Sequence, residues 1–261
     1  MLFRFTFYIK KVLIKTLPKL FVFSHLNIFI VYSNTIIDVI IPVYNEADSI
    51  GLVIGEIPKE HVRHIVVCNN NSTDDTPDIA RTAGAIVVDA PVRGYGNACL
   101  KGMEYISGLN TRPDIVVFLD GDYSDYPGQL PEVVAPIIHE NFDMVIGSRA
   151  LGNMENGAMM PQQVFGNWLA TCLIKIFFGY TFTDLGPFRA IRYNKLLELQ
   201  MADKTYGWTV EMQVKAAKKG FRCKEVPVDY KKRIGESKVS GTIKGTILAG
   251  YKILWTIFKS L

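Results

Sequence analysis

Two carboxylates, Asp120 and Asp122, stand one residue apart at the end of a short apolar run, Val116-Val117-Phe118-Leu119. Acids placed there are poor packing groups and good oxygen ligands for a hard divalent cation, Mg²⁺ or Mn²⁺, which in turn holds phosphate oxygens. Gly121 between them keeps the turn narrow enough for backbone and ligand to approach. A polar turn after a strand is the plain alternative. An EF-hand loop fits poorly, because Ser124 and Asp125 fall where that pattern wants an acid or amide and then a glycine.

The run before Asp120 is too short for a helix and rich in β-branched residues, so it reads as a buried strand. Further strands are expected over 36–42, closed by Pro42, and over 64–68, 85–89, 143–149 and 224–230. Helices are expected over 48–57, 76–83, 164–178 and 242–258. Others follow the glycine turn at 93–98 and Tyr206-Gly207-Trp208. Residues 151–163 read as a mobile loop and 183–189 as a turn. Strands alternating with helices at this spacing predict an α/β domain with a mostly parallel central sheet. Ligands of such sheets sit beyond the carboxyl ends of the strands. Glu46, Asn69, Arg93 and Asp120 each follow a strand and are expected to converge on one crevice.

The 261 residues suffice for one compact domain. Cys68, Cys99, Cys172 and Cys223 have no paired spacing and read as buried thiols of a reducing compartment. The net charge of +4 is segregated. Residues 1–37 carry five bases and no acid, and residues 215–261 carry twelve bases against three acids. Basic ends around an acidic middle point to an anionic surface or substrate and away from nucleic acid. Residues 1–35 read as a basic, apolar extension, either lying on a membrane or dispensable. Its apolar stretch, 20–32, is shorter than the roughly 20 residues of a spanning helix.

Five motifs in order resemble the family 2 glycosyltransferases of the GT-A (Rossmann-like) fold, in the branch of dolichol-phosphate and polyprenyl-phosphate sugar synthases. The resemblance runs from Ile37 to about Phe258. Pro42-Val43-Tyr44-Asn45-Glu46 looks like the opening nucleotide motif. Asp120-Gly121-Asp122 matches the Asp-x-Asp metal motif, and Tyr123-Ser124-Asp125-Tyr126-Pro127 continues as that branch does. Arg233-x-Gly-x-Ser237-Lys238 is similar to its phosphate loop. Asn69 and Asn70 stand where the family commonly has acids in the base-recognising turn.

The resemblance implies an inverting transfer of a hexose from a nucleoside-diphosphate sugar. The acceptor would be a polyprenyl phosphate or, alternatively, a sugar hydroxyl in polysaccharide or glycolipid synthesis. It implies a donor site of Pro42, Tyr44, Glu46, Asn69, Asn71, Arg93, Asp120 and Gly121, and a Mg²⁺ or Mn²⁺ site on Asp120 and Asp122. Asp122 and Arg233 would act on the diphosphate, with Glu211 as base for a hydroxyl acceptor. Arg149, Arg189, Ser237 and Lys238 would meet an acceptor phosphate. The plainer alternative for Glu211 is a helix-start acid favoured by the dipole, and Trp208 reads equally as core or as a sugar-stacking ring. The expected setting is cytoplasmic and peripheral to the membrane.

Three rivals remain at this level. Gly94-Tyr95-Gly96-Asn97-Ala98-Cys99 is a partial dinucleotide fingerprint after the wrong strand. A nucleotidyltransferase would open with a Gly-rich basic loop, absent here. A non-catalytic sugar-nucleotide-binding module would share the donor site.

Overall fold

The computed structural model of the chain describes residues 35–235 and 243–261. The extension over 1–34 and the Ser237 and Lys238 positions lie outside them. Among the described residues seven strands make one sheet: β1 (Ile37–Val43), β2 (His64–Asn69), β3 (Ile86–Asp89), β4 (Ile115–Phe118), β5 (Met144–Ser148), β6 (Arg189–Arg192) and β7 (Cys223–Pro227). Their order is β3-β2-β1-β4-β6-β5-β7. All run parallel except β6, which is antiparallel to β4 and to β5. The helices are α1 (Ala47–Glu56), α2 (Thr76–Thr82), α3 (Tyr95–Gly108), α4 (Leu130–His139), α5 (Pro161–Phe178), α6 (Tyr193–Leu199), α7 (Trp208–Lys218) and α8 (Ile243–Lys259).

The central strands are buried on both faces, which is why β1 and β4 read as continuous apolar runs and not as alternations. Ile40, Val66, Val116 and Phe118 join one core with Ala98 and Ile106 of α3, Trp208 and Met212 of α7, and Ile257 of α8. Each fully buried Val, Ile or Phe stabilises the fold by about 1.5–3 kcal/mol. The chain builds β1, β2 and β3 in one direction and then returns to lay β4 on the other side of β1. The carboxyl ends of β1 and β4 therefore diverge at a topological switch point, where an open α/β sheet leaves a crevice.

Three expectations need correction. Pro42 does not close β1. It lies inside the strand, opposite Cys68 of β2. The Ile40 carbonyl accepts from Leu119 N on the β4 side, and pairing with β4 ends at Ile40. Two residues on, Pro42 faces the same side, where no ladder remains to need its missing N–H. Residues 183–189 are not wholly a turn, because Arg189 begins β6, and neither β6 nor α6 was foreseen. The first half of 151–163 is tied down: Asn153 N donates to Asp229 and Glu155 N to the Tyr230 carbonyl.

Gly94 and Gly96 have a packing reason. The start of α3 lies against the 203–205 segment, with Gly96 N donating to Thr205 O and Asn97 N to Lys204 O. A Cβ on Gly96 would lie 2.0 Å from Asp203 O, and one on Gly94 2.2 Å from Lys204 O, at φ 138°. Gly96→Ala is expected to lower the unfolding free energy by about 1–3 kcal/mol. Gly55→Ala, whose added methyl meets nothing within 4 Å, is expected to be neutral or slightly stabilising. Urea titrations of the two variants check the contrast.

Candidate active site

Two cavities open at the switch point. The smaller, about 420 Å³, is lined by Pro42, Tyr44, Glu46, Arg93, Asp120, Gly121, Asp122 and Arg233, eight residues singled out from sequence. The larger, about 690 Å³, is lined by Arg149, Lys232 and Arg233 and by apolar groups that include Met159, Met160, Leu185, Pro187 and Ile253. The cavities share Tyr95, Asp120, Asp122, Tyr206 and Arg233. A group held in one chamber thus meets a group held in the other at the carboxylate pair.

The turn after β4 is built around those acids. Ser124 donates to Asp122 Oδ1 through its amide (3.0 Å) and hydroxyl (2.5 Å). Tyr95 Oη donates to Asp120 Oδ1 at 2.8 Å. Tyr123 turns the chain with φ 61°, and Ser49 Oγ holds the Gly121 carbonyl at 2.7 Å. The glycine itself is required: a Cβ there would come 2.6 Å from Val43. Burial and the Asp122 charge push the Asp120 carboxyl up to about 6, against the pull of the Tyr95 hydroxyl, Arg233 and Arg149. A cation between two such carboxylates relieves their repulsion. Among the described residues no cluster of three His, Cys, Asp or Glu is set to cage a metal. The donor set of two hard carboxylates fits Mg²⁺ or Mn²⁺, ions that keep other positions for water and substrate phosphate.

Arg233 closes the pair from the opposite side. Its Nη2 lies 2.8 Å from Glu46 Oε1 and its Nη1 3.1 Å from Asp122 Oδ2. Its segment is stitched to the turn by Lys231 N to Ser124 O (2.9 Å) and Ile234 N to Asp122 O (3.0 Å). Lys231 Nζ sits 3.2 Å from the centre of the Tyr123 ring and 4.5 Å from that of Tyr126. At the smaller cavity, the Arg93 guanidinium stacks 3.4 Å over the Tyr44 ring.

Other predicted residues lie elsewhere. Asn69 does not line either cavity; its amide donates to Asp89 and accepts from Ser72 N, which fixes the turn after β2. Asn71 is an exposed turn residue with φ 66°. Asn70 lines the smaller cavity, and its side chain ties Ala90, Val92 and Gly94 together. Arg189 is fully buried, donating to the Leu185, Gly186 and Thr209 carbonyls. It braces the 185–189 turn against α7 and lines neither cavity. Arg149 does line the larger cavity, but Asp184 grips it through two nitrogens at 2.8 and 2.7 Å. Burial opposes its charge, and Asp184 outweighs that and holds its pKa above the usual value.

Glu211 is buried behind the cavities. Its carboxylate accepts from the Ala202 and Asp203 amides and pairs with Lys215 at 2.8 Å. It sits in the first turn of α7, as the helix-start reading expects, and lines neither cavity. Trp208 is 1% exposed and meets Phe118 edge-on at 5.8 Å, so it is core with one edge on the larger cavity.

Sequence reasoning missed Tyr95, Ser124 and Asp184, which aim or neutralise the charged groups, because their partners are distant in the chain or look like ordinary turn residues. It also passed over Asp125, a carboxylate 2% exposed with no hydrogen-bond donor among the described residues. Burial, then the Asp120 charge, push that acid well up.

Glu211→Gln is expected to weaken the fold by about 1–2 kcal/mol, by thinning the hydrogen bonds to 202–203. Its effect on turnover should stay under about tenfold, where removal of a general base would take 10²–10⁴-fold. Denaturant midpoint and kcat measured on the same preparation separate the two.

The family model described as Glycosyl transferase family 2 matches residues 38–201. An uncharacterized glycosyltransferase of Mycobacterium bovis is 34% identical over 82% of this chain and 94% of its own. An undecaprenyl-phosphate mannosyltransferase of Micrococcus luteus is 32% identical over 79% and 88%. A dolichyl-phosphate hexose transferase of Haloferax volcanii is 30% identical over 77% and 85%. Among solved structures, glucosyl-3-phosphoglycerate synthase from Mycobacterium tuberculosis with Mn²⁺, UDP-glucose and phosphoglyceric acid superposes with a TM-score of 0.69. It is 21% identical, over 89% of this chain and 82% of that one, which confirms the expected GT-A fold. Fold, ordered motifs and the carboxylate pair at the switch point agree with the family match: this chain is a glycosyltransferase of family 2.

Proposed function

We propose that the chain transfers a hexose from a nucleoside-diphosphate sugar to a polyprenyl phosphate, with inversion at the anomeric carbon. The observation that carries the acceptor is the lining of the larger cavity. Among the described residues there, Asp120 and Asp122 are the only carboxylates. Both belong to the proposed cation site, so among the described lining residues no further acid is left to deprotonate a sugar hydroxyl. A phosphate monoester needs none, since it arrives ionised. The cavity offers it Lys232 and Arg233 together with the apolar groups Met159, Met160, Leu185, Pro187 and Ile253, a lining suited to an anionic head on a hydrocarbon tail. The similarity to relatives named for undecaprenyl and dolichyl phosphate supports the same reading.

The smaller cavity would hold the donor, with Tyr44, Glu46 and Arg93 around the nucleotide. Asp122, supported by Asp120, would hold a divalent cation, which when bound supplies Lewis-acid neutralisation of the leaving diphosphate. Arg233 reaches the same oxygens from the other side and hydrogen-bonds them. Tyr95 and Ser124 keep the two carboxylates aimed. An acceptor phosphate bound beside the shared wall would stand next to the departing group, as in-line attack requires.

The membrane side of the reading rests on α5 and α8. They meet at Phe177 and Phe258, 5.6 Å apart. Together they expose Phe165, Trp168, Ile176, Tyr251, Trp255 and Phe258. Both helices also line the larger cavity, through Gly166 and Asn167 and through Ala249, Gly250 and Ile253. No helix among the described residues is long and apolar enough to cross a membrane. An apolar face beside the acceptor cavity suits peripheral attachment at the cytoplasmic surface, where the acceptor's tail stays in lipid.

Incubation with UDP-, GDP- and dTDP-sugars, Mn²⁺ or Mg²⁺, and polyprenyl phosphate, the free polyprenol or a free saccharide tests the acceptor. The expected product forms only with the phosphate. Glycosylated polyprenol or a glycosylated saccharide would favour the hydroxyl reading, and binding without turnover would favour a non-catalytic module. Asp122→Asn is expected to lower transfer by at least about 100-fold with an unchanged circular dichroism spectrum.

Attachment is tested by vesicle sedimentation. The Trp168→Ala/Trp255→Ala double variant should sediment several-fold less with anionic vesicles while keeping its melting temperature. Equal sedimentation with wild type would place the contact elsewhere.

A further inference from the structure

We propose that Arg233 is the resident counter-ion of the carboxylate pair and fixes the order of binding, so that a divalent cation enters together with the donor diphosphate and not before it. The inference rests on the reading above that Asp122 takes the cation. Ser124 already holds Asp122 Oδ1 through two hydrogen bonds, so Oδ2 is the oxygen through which Asp122 takes a cation. Arg233 Nη1 sits on that oxygen at 3.1 Å, while Nη2 holds Glu46 across the crevice at 2.8 Å. Guanidinium and metal would compete for one atom.

The contact is built as an exchangeable one. The backbone on either side of Arg233 is fixed to the Asp122–Ser124 turn, and Lys231 is clamped between two aromatic rings. The side chain is left as the part that swings. Its Nε is buried without an acceptor among the described residues, so its donors are not all satisfied where it rests. Arg233 also lines both cavities, within reach of groups in either one.

Charge decides the order. A bare divalent ion approaching Asp122 meets the guanidinium and is repelled. A cation paired with a diphosphate arrives nearly neutral and brings oxygens that take Arg233 over from Asp122 bidentately. Metal and diphosphate therefore strengthen each other's binding by the same factor, as linkage requires, and Arg233 carries that coupling.

The test is Mn²⁺ binding, followed by electron paramagnetic resonance, with and without UDP or GDP in parallel. Wild type should bind Mn²⁺ alone weakly and much more tightly with the nucleoside diphosphate. Arg233→Ala should bind Mn²⁺ alone about 5–10-fold more tightly than wild type and lose most of the gain from the diphosphate. Arg233→Lys, which keeps the charge, should stay close to wild type. Arg233→Gln, which removes the charge but keeps a polar, hydrogen-bonding side chain, should follow the alanine variant and replaces it if that variant does not fold. If the neutral variants bind Mn²⁺ alone no more tightly than wild type, while binding with diphosphate persists, the counter-ion role is overturned. If no protein binds Mn²⁺ even with diphosphate, the metal reading falls and this inference falls with it.

Discussion

Like-charge repulsion between Asp120 and Asp122 is the constraint around which the site is arranged. The two acids share one turn, and Asp122 is only 8% exposed. Folding alone would drive one of them to pick up a proton, and Asp120 is already pushed up to about 6 by burial and by its neighbour. What keeps the pair available is a set of donors from four separate segments: Tyr95 from α3, Ser124 from the turn itself, Arg233 from the loop after β7, and Ser49 steadying the turn from α1. Tyr95 holds one oxygen of Asp120, Ser124 and Arg233 hold the two oxygens of Asp122, and Ser49 holds the Gly121 carbonyl.

The fold makes such convergence inexpensive in chain length. The switch between β1 and β4 leaves two loop clusters facing each other, so the proposed donor chamber forms from the β1 and β2 side and the proposed acceptor chamber from the β4 and β5 side. The antiparallel β6 serves the second chamber. It carries Arg189 into the interior, where the guanidinium ties the 185–189 turn to α7 and so shapes the wall that Leu185, Pro187 and Trp208 present. Helices α5 and α8 complete that wall on the side where their aromatic residues are exposed.

The donor half was legible in the sequence because its chemistry is local. A βα unit puts its ligand-capable residues in the few positions after each strand, and Glu46, Arg93 and Asp120 could be placed from strand ends alone. The acceptor half was read less well because its residues are sorted by packing. Arg189 and Arg149 look alike in sequence, yet one is buried among carbonyls and the other lines a cavity. Glu211 has the residue type and the position of a base, and two backbone amides claim it. The four-residue β6, with arginine at both ends, has neither an apolar run nor an alternation to reveal it.

The claim on which the rest depends is that the Asp120–Asp122 pair holds a cation that bridges to a diphosphate. A crystal structure with Mn²⁺ and UDP or GDP, read by anomalous scattering at the manganese edge, tests it directly. The account predicts a single strong peak about 2 Å from Asp122 Oδ2 and from two phosphate oxygens, with the Arg233 guanidinium moved onto the diphosphate. A manganese peak away from Asp122, or a diphosphate bound in the smaller cavity with Arg233 still on Asp122 and no metal between, would contradict it.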